Sequence, residues 1–183
     1  MIFSEPLHTF PDHAPKQGDI SVTNHPPLDS IDLNILSELQ RNGRLRNNEL
    51  ASRVGISPPP CLRRVRALFR RGTIRTIRAI LDERQLGYEV ISFVTIRLES
   101  QASATLRAFE ASIAAMPRVQ QCWRISGDAD FLLKCVAPDV EAMRQQLLHF
   151  SGMPDVRAIR SFPVLGLSKD EPLPIPASEP TPA

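Results

Sequence analysis

The sequence predicts an α+β protein with an N-terminal helix-turn-helix block and a C-terminal ferredoxin-like βαββαβ sandwich. Apolar residues recur at helical spacing as far as about Arg71, whereas beyond Thr73 short strands alternate with two helices. Prolines mark both ends of the chain, since five of the 17 lie in the first 27 residues and five in the last twelve. Because such segments lack the apolar periodicity that offsets ordering entropy, residues 1–27 and 169–183 are predicted to be disordered.

The composition excludes several classes of protein. The 183-residue chain has three cysteines and no C-x-x-C pair, which excludes a disulfide-stapled secreted scaffold and a cysteine-rich zinc module. Its histidines have no metal-ligand spacing, so we expect no metal and no cofactor. It has neither a run of about 18 apolar residues nor a signal peptide, so we expect a cytoplasmic protein without a membrane partner.

Three short helices are predicted in the first block. Asp29 caps the first helix, which ends at Asn42-Gly43, and its apolar residues fall on one side. A brief second helix stops at Gly55. The third begins with Ser57 as its cap and Pro58 at its first position, where the missing N–H is not needed. The order is helix, tight glycine turn, helix.

Charge is concentrated in this block. Residues 28–86 contain twelve Arg and six acids, a balance of +6, whereas residues 1–27 and 87–183 each have a balance of −2. On the third helix the apolar residues fall within an arc of about 120°, and five arginines lie outside it: Arg63, Arg64, Arg66, Arg70 and Arg71. A solvated face is the alternative, but such faces usually mix charge signs. An unopposed arginine face predicts a phosphate-binding surface.

The run Pro58-Pro59-Pro60 has two interpretations. It stiffens the start of the third helix, or it presents an apolar wall to base edges in a DNA groove.

The second block has six predicted elements in the order βαββαβ: strand 90–98, helix 102–116, strand 119–126, strand 130–136, helix 140–150 and strand 156–167. Pro163 fits the last strand because that strand lies at the sheet edge. The first and last strands are apolar on both faces, with Val156 expected on the same face as Ala158 and Phe162. A second copy of the chain is therefore expected to cover the open sheet face, with Trp123 a core or interface anchor.

Two features of the central hairpin carry open alternatives. Ser126-Gly127-Asp128-Ala129-Asp130 is either an ordinary turn or a polar site whose amides take a carboxylate and whose Asp takes an ammonium group. Cys122 and Cys135 lie on adjacent strands, directly opposite in one register and one residue out in the other. We interpret them as core residues, and a redox switch is the alternative.

Several segments together resemble the Lrp/AsnC family of leucine-responsive, or feast/famine, transcriptional regulators. They are Leu28-Asp29-Ser30-Ile31-Asp32-Leu33-Asn34-Ile35-Leu36, Asn42-Gly43-Arg44, Glu49-Leu50-Ala51, Val54-Gly55-Ile56-Ser57, Cys61-Leu62-Arg63-Arg64-Val65, Gly72-Thr73-Ile74 and Ile125-Ser126-Gly127-Asp128-Ala129-Asp130-Phe131-Leu132-Leu133. The resemblance covers about Leu28 to Ser168. It implies a simple or winged helix-turn-helix domain over 28–73, a hinge strand Ile74–Leu81 within a linker 74–87, and a ligand-sensing domain over 88–168 that dimerises, often into tetramers or octamers.

The resemblance also assigns site residues. Ser57 to Arg66 corresponds to the recognition-helix segment, and the predicted DNA-binding residues are Ser57, Pro59, Pro60, Arg63, Arg64, Arg66 and Arg70. The predicted effector-binding residues are Gly127, Asp128, Ala129 and Asp130, with an amino acid as the effector. Arg46 stands where the family often has a Ser or Thr cap, so Asn47 is expected to cap the second helix. Ala129 stands where an aromatic residue is common.

The predicted function is sequence-specific regulation of transcription, with no enzymatic activity. The partners are double-stranded DNA, as a roughly palindromic operator, and a small-molecule effector. A siroheme-decarboxylase-like enzyme of the same two-domain architecture is the alternative, although His149 is the sole histidine in the predicted folded part. A basic module that binds without sequence preference is the third possibility.

Overall fold

The computed structural model describes residues 27–176 in two compact units. One contains the described residues up to Ile80 together with those from Glu171 onward, and the other contains Leu81–Asp170. The division falls inside the predicted linker. The predicted disorder of residues 1–26 and 177–183 lies outside the described residues. Residues 169–176 have no helix or strand, and Gln40 Nε2 donates to the Leu173 carbonyl at 3.1 Å.

Three helices build the first unit: α1 Ser30–Arg41, α2 Asn47–Arg53 and α3 Pro58–Arg70. Their apolar sides meet in one core around the fully buried Ile35, Leu50 and Val65. Burial of this kind is what stabilises helices as short as α2, which would be marginal alone in water.

The helix ends follow the predicted signals in part. Asp29 caps α1, because its Oδ1 accepts the Asp32 N–H at 2.8 Å. The expectation that Asn47 caps α2 is wrong: Arg46 holds the cap position, and Asn47 Nδ2 instead donates to the Pro58 carbonyl at 2.9 Å. Ser57 holds the cap position of α3 without a side-chain cap bond, and Pro58 opens the helix as predicted.

The expected hinge strand Ile74–Leu81 is not formed. This segment has neither helix nor strand in the structure. A strand needs a neighbour for its N–H and C=O groups, and the four strands of the described residues pair among themselves. The described part of the first unit contains no strand, so no β-wing accompanies its three helices.

The second unit confirms the predicted element order. Its elements are β1 Val90–Leu98, α4 Ser103–Ala114, β2 Val119–Arg124, β3 Phe131–Ala137, α5 Val140–Ser151 and β4 Val156–Pro163. The sheet is antiparallel with strand order β2-β3-β1-β4, so β4 is an edge strand and Pro163 lies where a missing donor is tolerated. Both helices pack against one sheet face, around Val94, Phe109 and Phe131.

One facing prediction for β4 is wrong. Val156 packs with the core on the same side as Ile159, not with Ala158 and Phe162. The ladder pairs Arg97 with Ala158 but Leu98 with Val156, so Arg157 is an extra residue on β4. Such a bulge reverses the alternation of side chains, which strict period-two counting does not anticipate.

Candidate functional site

The exposed side of α3 has a narrow stripe of four residues. Pro59, Arg63, Arg66 and Arg70 follow the spacing i, i+4, i+7, i+11, and all four are exposed. At 100° per residue they fall within an arc of about 60°. Ser57 is exposed at the start of the helix and Pro60 is half-buried beside the stripe. Of the sequence-predicted DNA-binding residues, Pro59, Arg63, Arg66 and Arg70 therefore share one face of the helix.

Arg64 lies on another side of the helix and is paired within the chain. Its Nη1 donates to Asp29 Oδ2 at 2.7 Å and to Asp32 Oδ1 at 2.9 Å. Arg71 Nη2 lies 3.4 Å from Asp32 Oδ2. Asp32, only 6% exposed, thus receives two guanidinium groups from α3 and its C-terminal end.

The expectation of five unopposed arginines is consequently wrong for Arg64 and Arg71. Their helical angles place them toward the start of α1, where two carboxylates lie one turn apart. The two carboxylates raise the pKa of Arg64. The pKa of Asp29 is held below its ordinary value, first by the Asp32 N–H bond and then by Arg64.

The charges of the first unit separate into paired and unpaired groups. Residues 28–80 contain four acids and eleven arginines. Every one of the four acids is paired with one or two of four arginines: Asp29 with Arg64, Asp32 with Arg64 and Arg71, Glu38 with Arg41 and Arg53, and Glu49 with Arg53. Eleven minus four leaves seven arginines without a carboxylate partner among the described residues: Arg44, Arg46, Arg63, Arg66, Arg70, Arg75 and Arg78. All seven are exposed.

The candidate effector turn joins β2 to β3. Gly127 has φ of +124°, a conformation that favours glycine. Gly127 and Asp128 are exposed, and Ala129 is half-buried. Asp128 makes no hydrogen bond or ion pair with any described residue, so its carboxylate is available to a ligand.

Asp130 is not available in the same way. It is 7% exposed, its Oδ2 accepts the Leu98 N–H at 2.7 Å, and its Oδ1 accepts from Gln101 Nε2 at 3.0 Å. The β1–β3 ladder ends at the pair Ile96–Phe131, and the Asp130 N–H donates to the Ile96 carbonyl beyond it. The carboxylate therefore continues the ladder by one more bond to β1.

The assignment of Asp130 to a ligand ammonium group stays a prediction, and it would use a carboxylate whose two oxygens already accept hydrogen bonds within the chain. Sequence reasoning also missed Gln101, its second partner. The available signal was the position of Asp130, an acid directly before β3 and opposite the end of β1, where a free backbone N–H needs an acceptor.

The sheet face away from the helices exposes a group of large side chains. Cross-strand pairing places Phe93 beside Phe162 and Lys134, and Leu132 beside Trp123. Trp123 is 40% exposed and Phe162 is 51% exposed. Lys134 Nζ lies 3.1 Å from Glu83 Oε1. The pKa of Glu83 is lowered first by a backbone hydrogen bond at Glu83 and then by this pair with Lys134. The open sheet face is our name for the strand residues Ile91, Phe93, Trp123, Leu132, Lys134 and Phe162.

Cys135 is buried on β3, and Cys122 is half-buried on β2. Cys122 pairs with Leu133, so it is offset by two residues from Cys135, an arrangement that neither predicted register gave. This register is set at the turn, where Arg124 pairs with Phe131, and it continues unbroken through Cys122. Burial raises the pKa of Cys122 to about 11 and that of Cys135 to about 12, which disfavours the thiolates needed for redox chemistry.

Other site types find no support among residues 27–176. No group of three His, Cys, Asp or Glu side chains there could hold a metal ion. His149 is exposed on α5. None of the described helices has the length and hydropathy needed to cross a bilayer.

Comparison with known proteins matches both units. A family model described as winged helix-turn-helix DNA-binding matches residues 28–75, and one described as Lrp/AsnC ligand binding domain matches residues 91–174. The leucine-responsive regulatory protein of Rhizobium meliloti (strain 1021) is 44% identical over 144 residues, covering 78% of this chain and 92% of that protein. That of Escherichia coli (strain K12) is 42% identical over 134 residues, covering 71% and 82%.

Solved structures agree. A Neisseria meningitidis transcriptional regulator in complex with L-Met is 33% identical, with a TM-score of 0.73 and coverage of 79% of this chain and 94% of that chain. An AsnC family transcriptional regulator from Agrobacterium tumefaciens is 32% identical, with a TM-score of 0.74 and coverage of 80% and 97%.

A helix-turn-helix unit followed by a ferredoxin-like ligand-binding unit defines the class: DNA-binding transcriptional regulators that carry a small-molecule-binding domain. Within this class the chain belongs to the Lrp/AsnC family.

Proposed function

We propose that this regulator reads DNA with the exposed stripe of α3, through Pro59, Arg63, Arg66 and Arg70, flanked by Ser57 and Pro60. The observation that carries the proposal is that these three arginines are exposed and have no carboxylate partner among the described residues, while Arg64 and Arg71 on the other side are paired. Aligned guanidinium groups repel one another in the free protein, and contact with phosphates removes that cost.

In a helix-turn-helix domain, the residues of the stripe would make different kinds of contact with DNA. The start of a recognition helix reaches base edges in the major groove, so Arg63 and Arg66 are the candidates for guanine contacts. Arg70, one to two turns further along, is suited to a phosphate. Phosphate contacts supply affinity, and base-edge contacts supply the choice of site. Arg64 positions α3 against α1 in this proposal and does not contact DNA.

Two copies of the chain would place two such helices on DNA. The open sheet face has the aromatic and aliphatic side chains that a self-association interface requires, and twofold symmetry is the commonest arrangement. A homodimer through this face would bind half-sites about one helical turn apart, on a roughly palindromic operator.

The effector is proposed to be an amino acid, the class to which the ligand of the Neisseria meningitidis relative belongs. The turn Ser126–Asp130 supports this by presenting an exposed acid, Asp128, next to a glycine with free approach to its backbone. Asp130 holds the turn against the end of β1. A bound effector can change DNA affinity only if it binds two assembly states of the protein with different affinities.

Binding to a selected operator tests the DNA surface. Arg63→Ala or Arg66→Ala should weaken operator binding by about 1–3 kcal/mol wherever the side chain reaches a guanine, and relax specificity at that base pair. Arg107→Ala is the matched control, because Arg107 is an exposed arginine on α4 in the other unit. If both α3 variants bind like the control, the stripe is not the DNA surface.

The same experiment addresses the other readings. Footprinting that shows protection without a preferred site would indicate a basic module without sequence specificity. No observation favours the decarboxylase alternative. The matched family models describe a DNA-binding domain and an Lrp/AsnC ligand binding domain, and the curated relatives described above are regulatory proteins.

A further inference from the structure

The segment that follows α3 is fastened to the first unit at two points. Gly72 has φ of +72° and turns the chain, after which the Ile74 N–H donates to the Leu68 carbonyl at 3.2 Å and the Ile74 side chain packs on the helix core. Ile77 fits against Gly43, where an added Cβ would lie 2.8 Å from Ile77 Cγ2. The backbone from Ile74 to Ile77 therefore follows the surface of the first unit.

Each anchoring isoleucine is followed by an arginine. The sequence Thr73-Ile74-Arg75-Thr76-Ile77-Arg78 repeats a three-residue unit in which the isoleucines are half-buried and the arginines exposed. Arg75 and Arg78 have no carboxylate partner among the described residues. From Leu50 to Leu81 the chain contains eight arginines and no acid, so the acid-free stretch begins before α3 and continues through this segment.

We propose that Arg75 and Arg78 form a second set of phosphate contacts, beside the recognition helix, on the same DNA. The proposal rests on the assignment of α3 as the DNA-reading helix and extends it to a segment without helix or strand. Three residues span at most about 10 Å, and a DNA strand carries one phosphate per about 3.4 Å of helix axis. Two arginines three residues apart can therefore reach different phosphates of the same strand.

DNA is favoured over an acidic protein partner by continuity. Arg70, at the end of α3, is five residues before Arg75, and no acid interrupts the charge between them. The two isoleucine anchors hold the backbone of this segment on the unit that binds DNA. Less conformational entropy of the backbone is therefore lost when the arginines bind. The contacts carry no sequence information, because they are made to phosphates.

The salt dependence of DNA binding tests the proposal. In the full-length protein, Arg75→Gln with Arg78→Gln should reduce the slope of log Kobs against log salt concentration by about 4 for a homodimer on its operator, which is about 2 per chain, and each single variant by half as much. The loss of affinity should be by the same factor on operator and on unrelated duplex DNA. Arg107→Gln, an exposed arginine on α4, should leave the slope unchanged.

A second variant tests the anchoring. Ile77→Ser keeps both arginines but removes the apolar contact with Gly43, and we expect it to lower affinity for both DNAs while circular dichroism shows the helices intact. Gly43→Ala should act in the same direction, because its new Cβ displaces Ile77.

Four outcomes would overturn the proposal. An unchanged salt slope in the double variant, with Arg63→Ala still weakening operator binding, would reject the linker contacts and leave the α3 surface intact. A loss confined to operator DNA would indicate a base contact instead. A loss accompanied by dissociation of the dimer in sedimentation would place these arginines in assembly. If Arg63→Ala and the double variant both bind normally, the α3 assignment fails as well.

Discussion

The two units of the chain differ in how complete their candidate sites are. In the helical unit one chain supplies all the elements of the proposed DNA surface: an exposed stripe on α3, and a buried Asp32 that holds two other arginines away from it. In the sheet unit the buried acid of the turn, Asp130, already accepts hydrogen bonds from Leu98 and Gln101. The open sheet face has no cover within the described residues of that unit. The elements of the proposed DNA surface therefore lie within one chain, whereas the sheet unit has an acid that is already hydrogen-bonded and a sheet face without a cover among its described residues.

The largest expected effect concerns the open sheet face. Phe162→Asp would bury a charge in the proposed interface, and we expect the dimer dissociation constant to rise at least a hundredfold, which corresponds to about 3 kcal/mol. Phe162 is half-exposed on an edge strand, so the single chain should still fold. Sedimentation velocity measures the effect. Leu148→Asp, at an exposed leucine on the outer side of α5, should leave the dimer intact; dissociation by this variant and not by Phe162→Asp would move the interface to the helices.

The next effect separates the two acids of the turn. Asp130→Ala leaves the buried Leu98 N–H without its acceptor, so we expect the free energy of unfolding to fall by about 1–3 kcal/mol in urea titration. Asp128→Ala, at the exposed acid two residues earlier, should change it by less than about 0.5 kcal/mol. Equal stability of the two variants, with effector response lost only in Asp130→Ala, would restore Asp130 as a ligand contact.

A third effect separates the two sides of α3. Arg64→Ala breaks the bonds to Asp29 and Asp32, and we expect a loss of about 1 kcal/mol in unfolding free energy with an unchanged salt slope of DNA binding. Arg63→Ala should show the opposite: normal unfolding and weaker operator binding. The matched pair uses adjacent arginines on one helix. A reduced salt slope in Arg64→Ala would mean that this guanidinium reaches phosphate despite its carboxylates.

The smallest effect depends on pH. The folded pKa of Asp29 lies below its ordinary value of 3.8, so its contribution to stability is complete above about pH 4 and is lost as the pH falls through the folded pKa. Because the side chain is half-exposed, the contribution is about 0.5 kcal/mol. Asp29→Asn keeps a capping side chain but cannot ionise. The difference between the two proteins in urea unfolding should be complete at pH 7 and shrink as the pH falls below about 4; a constant difference would show that ionisation of Asp29 contributes nothing.

The sequence predicted the elements well because their signals are local. Strand β1 occupies the same residues, 90–98, that the pattern of apolar residues indicated, and α1 begins after the acid expected to cap it. Helical spacing also identified the stripe on α3. Each of these features depends on residues within one or two turns or strands.

Features set by distant residues were missed. Arg64 differs from Arg63 only by 100° of rotation, and whether that angle meets a carboxylate depends on how α1 crosses α3. The side of the sheet that Val156 faces depends on one extra residue in β4. The hinge strand needs a neighbour that one chain does not provide. Asp130 looked like a ligand acceptor because its bond to Leu98 joins residues 32 apart in sequence.

The triple proline at the start of α3 bears on how this helix can meet an anion. A helix normally begins with about four N–H groups that lack an intrahelical acceptor and readily bind phosphate. Pro58, Pro59 and Pro60 have no N–H, and the Cys61 N–H is already bonded to the Ser57 carbonyl. Among the first four main-chain positions at this end of α3 the Ser57 N–H is the one donor left, so an anion there must be held mainly by side chains.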